Sequence, residues 1–510
     1  MIIAPSEENM PTKYEDLLTK VHEIHDLRKA QYLLGWDRQV NMPKAGHEMR
    51  VKQMTTLQRL AHTMATSDEM GELIEAAADE VADMPYESNE ASLIRYLQES
   101  YEDARKLPAE FVARSAEISG EAYAVWVEAR ENDDFDSYAP WLEQIVELGR
   151  EMAELYGYED ELYDALLDKY ERGAKTADVR RIFAAAREET VPLLEAIQER
   201  GDDVDDSILH QPFEIEKQKE FARYIADAVG YDFNRGHLGT AVHPFATSFS
   251  RDDVRITSRW YPDFINPALF GALHESGHAI YEQGTHPDLA RTPLARGTSS
   301  GIHESQSRMF ENIVGRSLGF WRTHFPRLQE LFSQQLGNVT AEQFYRAVNK
   351  VQPSFIRVEA DELTYNMHIY LRFELEQALL GDDLEVSDLP VAWNDKMNEL
   401  LGVRPPNDRE GVLQDIHWSR PSFGYFPTYA LGNLYAAQLY YAACEQAPAV
   451  SAELEAGKTD ALLSWLRTNI HQHGRKFKPA ELVQRATGAP LSHDAFVRYT
   501  HEKFTDVYQL

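Results

Sequence analysis

Residues 266–284 read NPALFGALHESGHAIYEQG, and their pattern decides what the rest of the chain must be. Leu269, Phe270, Leu273, Ala279 and Ile280 put apolar side chains nearly all round a 3.6-residue repeat, which makes this a helix that has to be buried. Asn266 stands where an N-cap is expected, Pro267 suits the first helical position, and Gly284 lies where a left-handed C-terminal cap would fall. A helix buried on every side needs other helices around it, and the flanking sequence supplies them. From Tyr14 (Leu17, Leu18, Val21, Ile24, Leu27), and again over 91–101, 142–155, 179–199, 221–229, 344–351 and 371–380, apolar residues recur every three or four positions with charge between them. The expected fold is all-α. The exception is 253–260, where Val254, Ile256 and Trp260 alternate with polar residues and predict one short strand in a small sheet. No Gly/Pro/Ser-rich linker and no internal repeat divides the chain, so 1–510 reads as a single large helical domain with two lobes around a cleft.

Lys and Arg number 51 against 84 Asp and Glu, a formal charge of 51 − 84 = −33. Such a surface repels nucleic acid phosphates and anionic lipid, which argues against a nucleic acid or a membrane as partner. With 43% hydrophobic residues the chain can build a core, so the acid belongs outside it. Asp133-Asp134, Asp202-Asp203, Asp205-Asp206 and Asp382-Asp383 fall between periodic segments and read as solvated loops. Charge kept high for solubility points to a halophilic source; an ordinary acidic cytoplasmic protein is the alternative. Met1 to Thr12 lacks a basic region followed by an apolar run, no eighteen consecutive residues are apolar, and the one cysteine, Cys444, reads as a buried small hydrophobe. A cytoplasmic, reducing location without disulfides is expected.

On the buried helix His274 and His278 project from one face one turn apart and can share one divalent ion. Glu275, about 100° round, is placed beside a metal-bound water as general base. The other reading, two core histidines and a solvent-facing glutamate, is disfavoured because neutral residues pack more cheaply on such a helix. A metzincin would need Gly and His where Tyr281 and Gly284 stand. Glu282 lies about 12 Å along the axis from His274, too far for a shared ion. The third ligand must then come from a second helix. Ser299-Ser300-Gly301 looks like a helix start that carries Glu304, 304 − 278 = 26 residues beyond the second histidine, with adjacent His303 as the alternative.

Two more clusters concentrate polar chemistry. Arg357, Asp361, Tyr365 and His368 recur at helical spacing and predict a polar stripe lining a cleft; a solvent-facing stripe with an Arg357 to Asp361 ion pair is the other reading. A substrate carboxylate entering an acidic protein needs a bidentate cation: Arg357 is the first candidate, steadied from behind by Asp361, and Arg255 on the predicted strand is the second. Between glycines and prolines, Gly411 to Tyr429 packs His, Trp and Tyr into what reads as a ligand-facing loop. His417, Tyr425 and Tyr429 are candidates to stabilise an oxyanion, with aromatic packing between helices as the alternative role.

In order along the chain stand Trp36-Asp37 with Met42-Pro43, His243-Pro244-Phe245, Asp253-x-Arg255-x-Thr257, His274-Glu275-x-x-His278, His303-Glu304-Ser305-Gln306, Ile356-Arg357-x-x-Ala360-Asp361 and Gly411-x-x-Gln414-Asp415-x-His417-Trp418. Over nearly its whole length the sequence resembles the carboxypeptidase Taq family of thermostable metallocarboxypeptidases. The resemblance implies a mostly helical fold with a deep active-site cleft and a small sheet near the metal, and one divalent ion on His274, His278 and Glu304. It further implies Glu275 as catalytic base, release of C-terminal amino acids from peptides with broad specificity, and a homodimer. His417 and Tyr429 join the catalytic candidates; Arg357, Arg255, Asp361, His243 and Gln414 form the substrate-binding set. Zinc is the expected ion, and a His2Glu site also accepts cobalt or manganese. An endo-oligopeptidase of similar metal chemistry and a helical metal-storage protein are the rival readings, and an adjacent base such as Glu275 has no use in storage.

Overall fold

The computed structural model describes residues 12–201 and 203–510; the reading of residues 1–11 and the Asp202 member of one acidic run lie outside the described residues. Within that range the chain is helical throughout, with 21 α-helices and one three-stranded sheet among the described residues. The predicted periodic segments correspond to Lys13–Val40, Asn89–Lys106, Phe135–Tyr156, Thr176–Glu199, Ile215–Ala228, Ala341–Val348 and Tyr365–Leu380. Their starts follow side-chain chemistry: Thr12 and Glu15 form a capping box on the first helix, and Thr340 and Gln343 form another. Two apolar clusters hold the helices together. Leu17, Val21, Ile74 and Leu93 close a smaller one with Leu289 and Leu294, and the larger runs from Phe111 to Tyr508 and encloses the HExxH helix.

That helix, Asn266–Gln283, has Leu269, Ala272, Leu273 and Ala279 fully buried, as its all-round apolar pattern requires. Both of its ends differ from expectation. Ile265, not Asn266, occupies the cap position, and no side chain caps the helix. Gly284 does end it, but with φ −86° in the right-handed region. The glycine is required by packing instead, because a Cβ there would come within 2.7 Å of His471.

The predicted strand is the centre of the sheet. β1 (Gly236–Thr240), β2 (Ala246–Ser250) and β3 (Asp253–Ser258) lie in the order β1-β3-β2, with β1 parallel and β2 antiparallel to β3. β1 and β2 carry too few β-branched residues in alternation to be read from sequence. The sheet rests on the HExxH helix at Gly271, where an added Cβ would stand 3.2 Å from Ser258 Oγ and 3.8 Å from Pro244.

The stretch from Arg357 to His368 is not a helical stripe. Arg357–Glu359 is a single 3₁₀ turn and the helix begins only at Tyr365. Asp361 turns inward on the intervening backbone: it accepts from the N–H groups of Leu363 (2.9 Å), Thr364 (3.0 Å) and Gln352 (3.0 Å) and from Thr364 Oγ1 (2.7 Å). A short acid near a helix start satisfies loose N–H groups better than it reaches a neighbour's guanidinium, so the expected Arg357 to Asp361 pair does not form. His368 is fully buried and lines no cleft. Cys444 is half-buried rather than buried. Asp133, Asp134, Asp382 and Asp383 are exposed, as read. Among the described residues no helix is long and apolar enough to cross a membrane.

Candidate active site

His274, His278 and Glu304 converge, with one ligand atom from each lying within 4.8 Å of the others. Glu304 Oε2 stands 3.7 Å from His274 Nε2 and 3.4 Å from His278 Nε2. Two donors at about 2.05 Å from a tetrahedral ion are about 3.3 Å apart, so the spacing and the two-nitrogen, one-oxygen donor set fit a divalent metal. The structure brings together the three residues that the sequence reading named, and it shows how the second helix comes so close. Gly277 explains it: a Cβ there would sit 2.4 Å from the Gln306 carbonyl, so the HExxH helix and the helix Ser300–Arg308 cross backbone to backbone. The start of the second helix is pinned by buried Glu171, which accepts from Gly301 N (2.9 Å), Ser299 Oγ (3.0 Å) and Tyr435 OH (3.0 Å).

Partners behind the three ligands fix which atoms face the ion. His274 Nδ1 donates to Glu311 Oε2 at 2.8 Å, which leaves Nε2 as the free lone pair. Burial lowers the pKa of His303 against the pull of Glu282, and its Nε2 donates to Glu282 Oε1 at 2.9 Å. His303 Nδ1 then accepts from His278 Nδ1 at 2.6 Å, which turns His278 Nε2 to the same point. His303, the alternative ligand, is thus an outer partner, and Glu282, too distant to bind, holds it in place. Arg308 Nε donates to Glu304 Oε1 at 2.7 Å, and Oε2, which accepts from Ser307 Oγ at 3.0 Å, faces the two histidines. Burial alone would raise the Glu304 carboxyl, yet Arg308, His274 and His278 reverse this and hold it well below the usual range. Glu275 is 5% exposed and pushed up to about 7, chiefly by burial, with His278 opposing and Glu304 and Glu311 adding. It takes no hydrogen bond from the protein among the described residues and is available to a water. Arg308 and Glu311 were not picked out beforehand, although their positions four and seven residues after Glu304 put both on its helical face.

Arg357 is 5% exposed and belongs to the same wall. Nη2 donates to Asp415 Oδ1 at 2.7 Å, Nε to the same oxygen at 3.2 Å, and Nη1 to Tyr365 OH at 2.9 Å. The Tyr365 ring lies under the Arg308 guanidinium at 4.1 Å, which links this group to Glu304. Asp415 also accepts from Arg372 Nε at 2.7 Å, and these two arginines outweigh its burial and hold it strongly acidic. Asp415 therefore does what Asp361 was expected to do. His417 packs at 5.6 Å on the Tyr425 ring and 4.4 Å from Phe426, and burial lowers its pKa to about 4. Tyr425 and Tyr429 lie 5.2 Å apart, and the Arg357 guanidinium stands 5.0 Å from the Tyr429 ring.

The remaining candidates sit differently. Arg255 is held by Asp253 (Nε to Oδ1, 2.8 Å) and lies between Trp36 at 4.6 Å and Phe249 at 5.0 Å, which ties the central strand to the first helix and to β2. Gln414 donates to the Phe355 carbonyl at 3.0 Å and accepts from Arg357 N at 2.8 Å, so it fixes the backbone that carries Arg357. His243 is exposed in the loop between β1 and β2, next to Pro244 on the HExxH helix. A cavity of about 800 Å³ between Tyr163, Phe183, Tyr370 and Phe373 includes none of the metal cluster, and its arginines are taken up by ion pairs, Arg180 with Glu161 and Arg187 with Glu374.

Comparison with known proteins agrees with this chemistry. The family model for Carboxypeptidase Taq (M32) metallopeptidase matches residues 16–504. "Thermostable carboxypeptidase 1" of Thermus thermophilus is 42% identical over 507 residues, 97% of this chain and 99% of that protein. "Carboxypeptidase 1" of Bacillus subtilis is 38% identical over 498 residues, 98% of each. The crystal structure of the M32 carboxypeptidase from Deinococcus radiodurans R1 superposes with a TM-score of 0.95 at 37% identity, over 98% of this chain and 100% of that one. The chain belongs to the carboxypeptidase Taq (M32) metallopeptidase family and is a metallocarboxypeptidase, a hydrolase of peptide bonds.

Proposed function

We propose that this enzyme removes single residues from peptide C-termini with broad specificity, using a zinc ion on His274, His278 and Glu304 and Glu275 as general base. The metal, when bound, would polarise the scissile carbonyl and acidify the attacking water. Glu275 takes the proton from that water and passes it to the leaving amine, a task suited to an enclosed carboxylate with no other partner. Tyr429, with His417 and Tyr425 beside it, is assigned to the developing oxyanion.

Charge balance inside the wall carries the exopeptidase reading. Arg357 and Arg372 share the single carboxylate of Asp415 while His417 stays neutral, so the group holds a net charge of one positive unit out of water. Two buried guanidinium groups on one carboxylate lack a second anion. Of the five N–H donors of Arg357, three are used, and one on each terminal nitrogen remains for a carboxylate. Gln414 supports that anchor through the Arg357 backbone, and Arg255, Asp361 and His243 complete the proposed substrate-binding set away from it. A homodimeric, cytoplasmic protein of one domain completes the proposal, and the charge of −33 supports a halophilic source for it. Mass spectrometry of a mixed peptide pool incubated with metal-loaded enzyme tests it: single residues should disappear in order from free C-termini, and internal fragments would refute it.

A further inference from the structure

At the far end of the HExxH helix lies a pocket that the chemistry above does not use. It has a volume of about 420 Å³ and opens where the start of β1, the turn between β2 and β3, the residues after Gln283 and the end of the helix Asp460–Asn469 meet. Arg235, Arg251, Arg467 and His286 line it, and no Asp or Glu does. The neighbouring acids stand behind the lining: Asp232 and Asp252 pair with Arg235, Asp252 lies 3.8 Å from Arg251, and Asp288 lies 3.5 Å from His286, while Arg467 has no such partner among the described residues. Arg235 is engaged: its Nε donates to Asp232 at 2.8 Å and its Nη1 to the Gln283 carbonyl at 3.0 Å. The other two are held more loosely. Arg251 Nε is buried without a hydrogen-bond acceptor, 3.8 Å from the nearest oxygen of exposed Asp252. Arg467 pairs with no carboxylate among the described residues. A buried guanidinium N–H without an acceptor is unfavourable until an anion supplies one.

We propose that this pocket binds a phosphate group, free or carried on a small polar molecule, through Arg251 and Arg467. Guanidinium forks match the paired oxygens of an oxyanion. Gln283, Thr285, Thr468 and Gln472 add further hydrogen-bonding groups to the wall, and the volume leaves room beyond one phosphate. None of these arginines belongs to the catalytic wall, so the site is independent of the proposed peptidase mechanism.

Calorimetric titration of the metal-loaded enzyme with inorganic phosphate, at fixed ionic strength, tests the assignment. One saturable site per chain is expected, weakened about tenfold or more by Arg251→Ser and by Arg467→Ser, with peptide hydrolysis unchanged in both. Glycerol phosphate binding more tightly than inorganic phosphate at that site would identify an ester, and the reverse order the free ion. Arg467 is exposed, so its variant folds and carries the test alone if Arg251→Ser does not. Phosphate binding that survives both substitutions would put the anion at the metal centre and overturn the proposal. So would the absence of saturation, or displacement by chloride at matched ionic strength, which would make this a halide site.

Discussion

Replacing Arg357 with alanine asks whether the buried positive unit is a substrate anchor. Asp415 keeps its pair with Arg372 at 2.7 Å, so the substitution removes the net charge and the free fork without leaving a lone buried carboxylate. Truncating one member of a desolvated, hydrogen-bonded charge pair costs about 2–5 kcal/mol. With two N–H donors of Arg357 presented to the substrate, a loss of at least about 3 kcal/mol in kcat/KM is expected for peptides with a free C-terminal carboxylate, roughly a 150-fold drop. Peptides amidated at the C-terminus, already poor substrates, should lose far less, because they never made the ion pair. The assay is kcat/KM for matched acid and amide peptides on wild type, Arg357→Ala and Arg357→Lys, with metal content measured in each. The lysine variant should recover part of the loss, since it restores charge but not the fork. Equal losses for acid and amide, or a larger acid-selective loss in Arg255→Ala, would remove Arg357 from this role.

Other expectations concern the metal, the base and the surface. His274→Ala, His278→Ala and Glu304→Ala should each lose stoichiometric metal by elemental analysis, and a chelator should abolish activity. His303→Ala should bind metal more weakly, by about 10- to 100-fold, as for the loss of an outer partner; full metal occupancy in Glu304→Ala with none in His303→Ala would reverse the two assignments. Glu275→Gln should keep its metal and hydrolyse peptides at least about a thousandfold more slowly, because an amide cannot accept the proton of the attacking water. Near-normal turnover would exclude Glu275 as the base. The charge of −33 predicts a melting temperature that rises with KCl as self-repulsion is screened, and a flat profile from about 0.1 M to molar salt would end the salt-adaptation reading.

Much of the site was legible because its chemistry is local. Four-residue spacing places His274 and His278 on one face in any helix, and the apolar pattern around them allows no other element. Glu304 followed by the same means, as a carboxylate one turn inside a second helix start. The central strand was legible too, since Val254 and Ile256 alternate with polar neighbours. Its partners β1 and β2 were not, because strands with Gly and Ser at that density form only where a ready-made edge accepts them.

What the sequence determined by itself was therefore the helical class and the His274, Glu275, His278 face of the buried helix, set by repeats of three to four residues. Tertiary structure alone decided who holds whom. Asp415 rather than Asp361 grips Arg357, across 58 residues, because the chain unwinds after Glu359 and Asp361 satisfies its own backbone first. Glu282, rejected as a ligand for its distance along the helix, turns out to steady His303, which steadies His278. Such pairings depend on how closely two backbones can approach, and at the centre of this enzyme that distance is set by the missing side chain of Gly277.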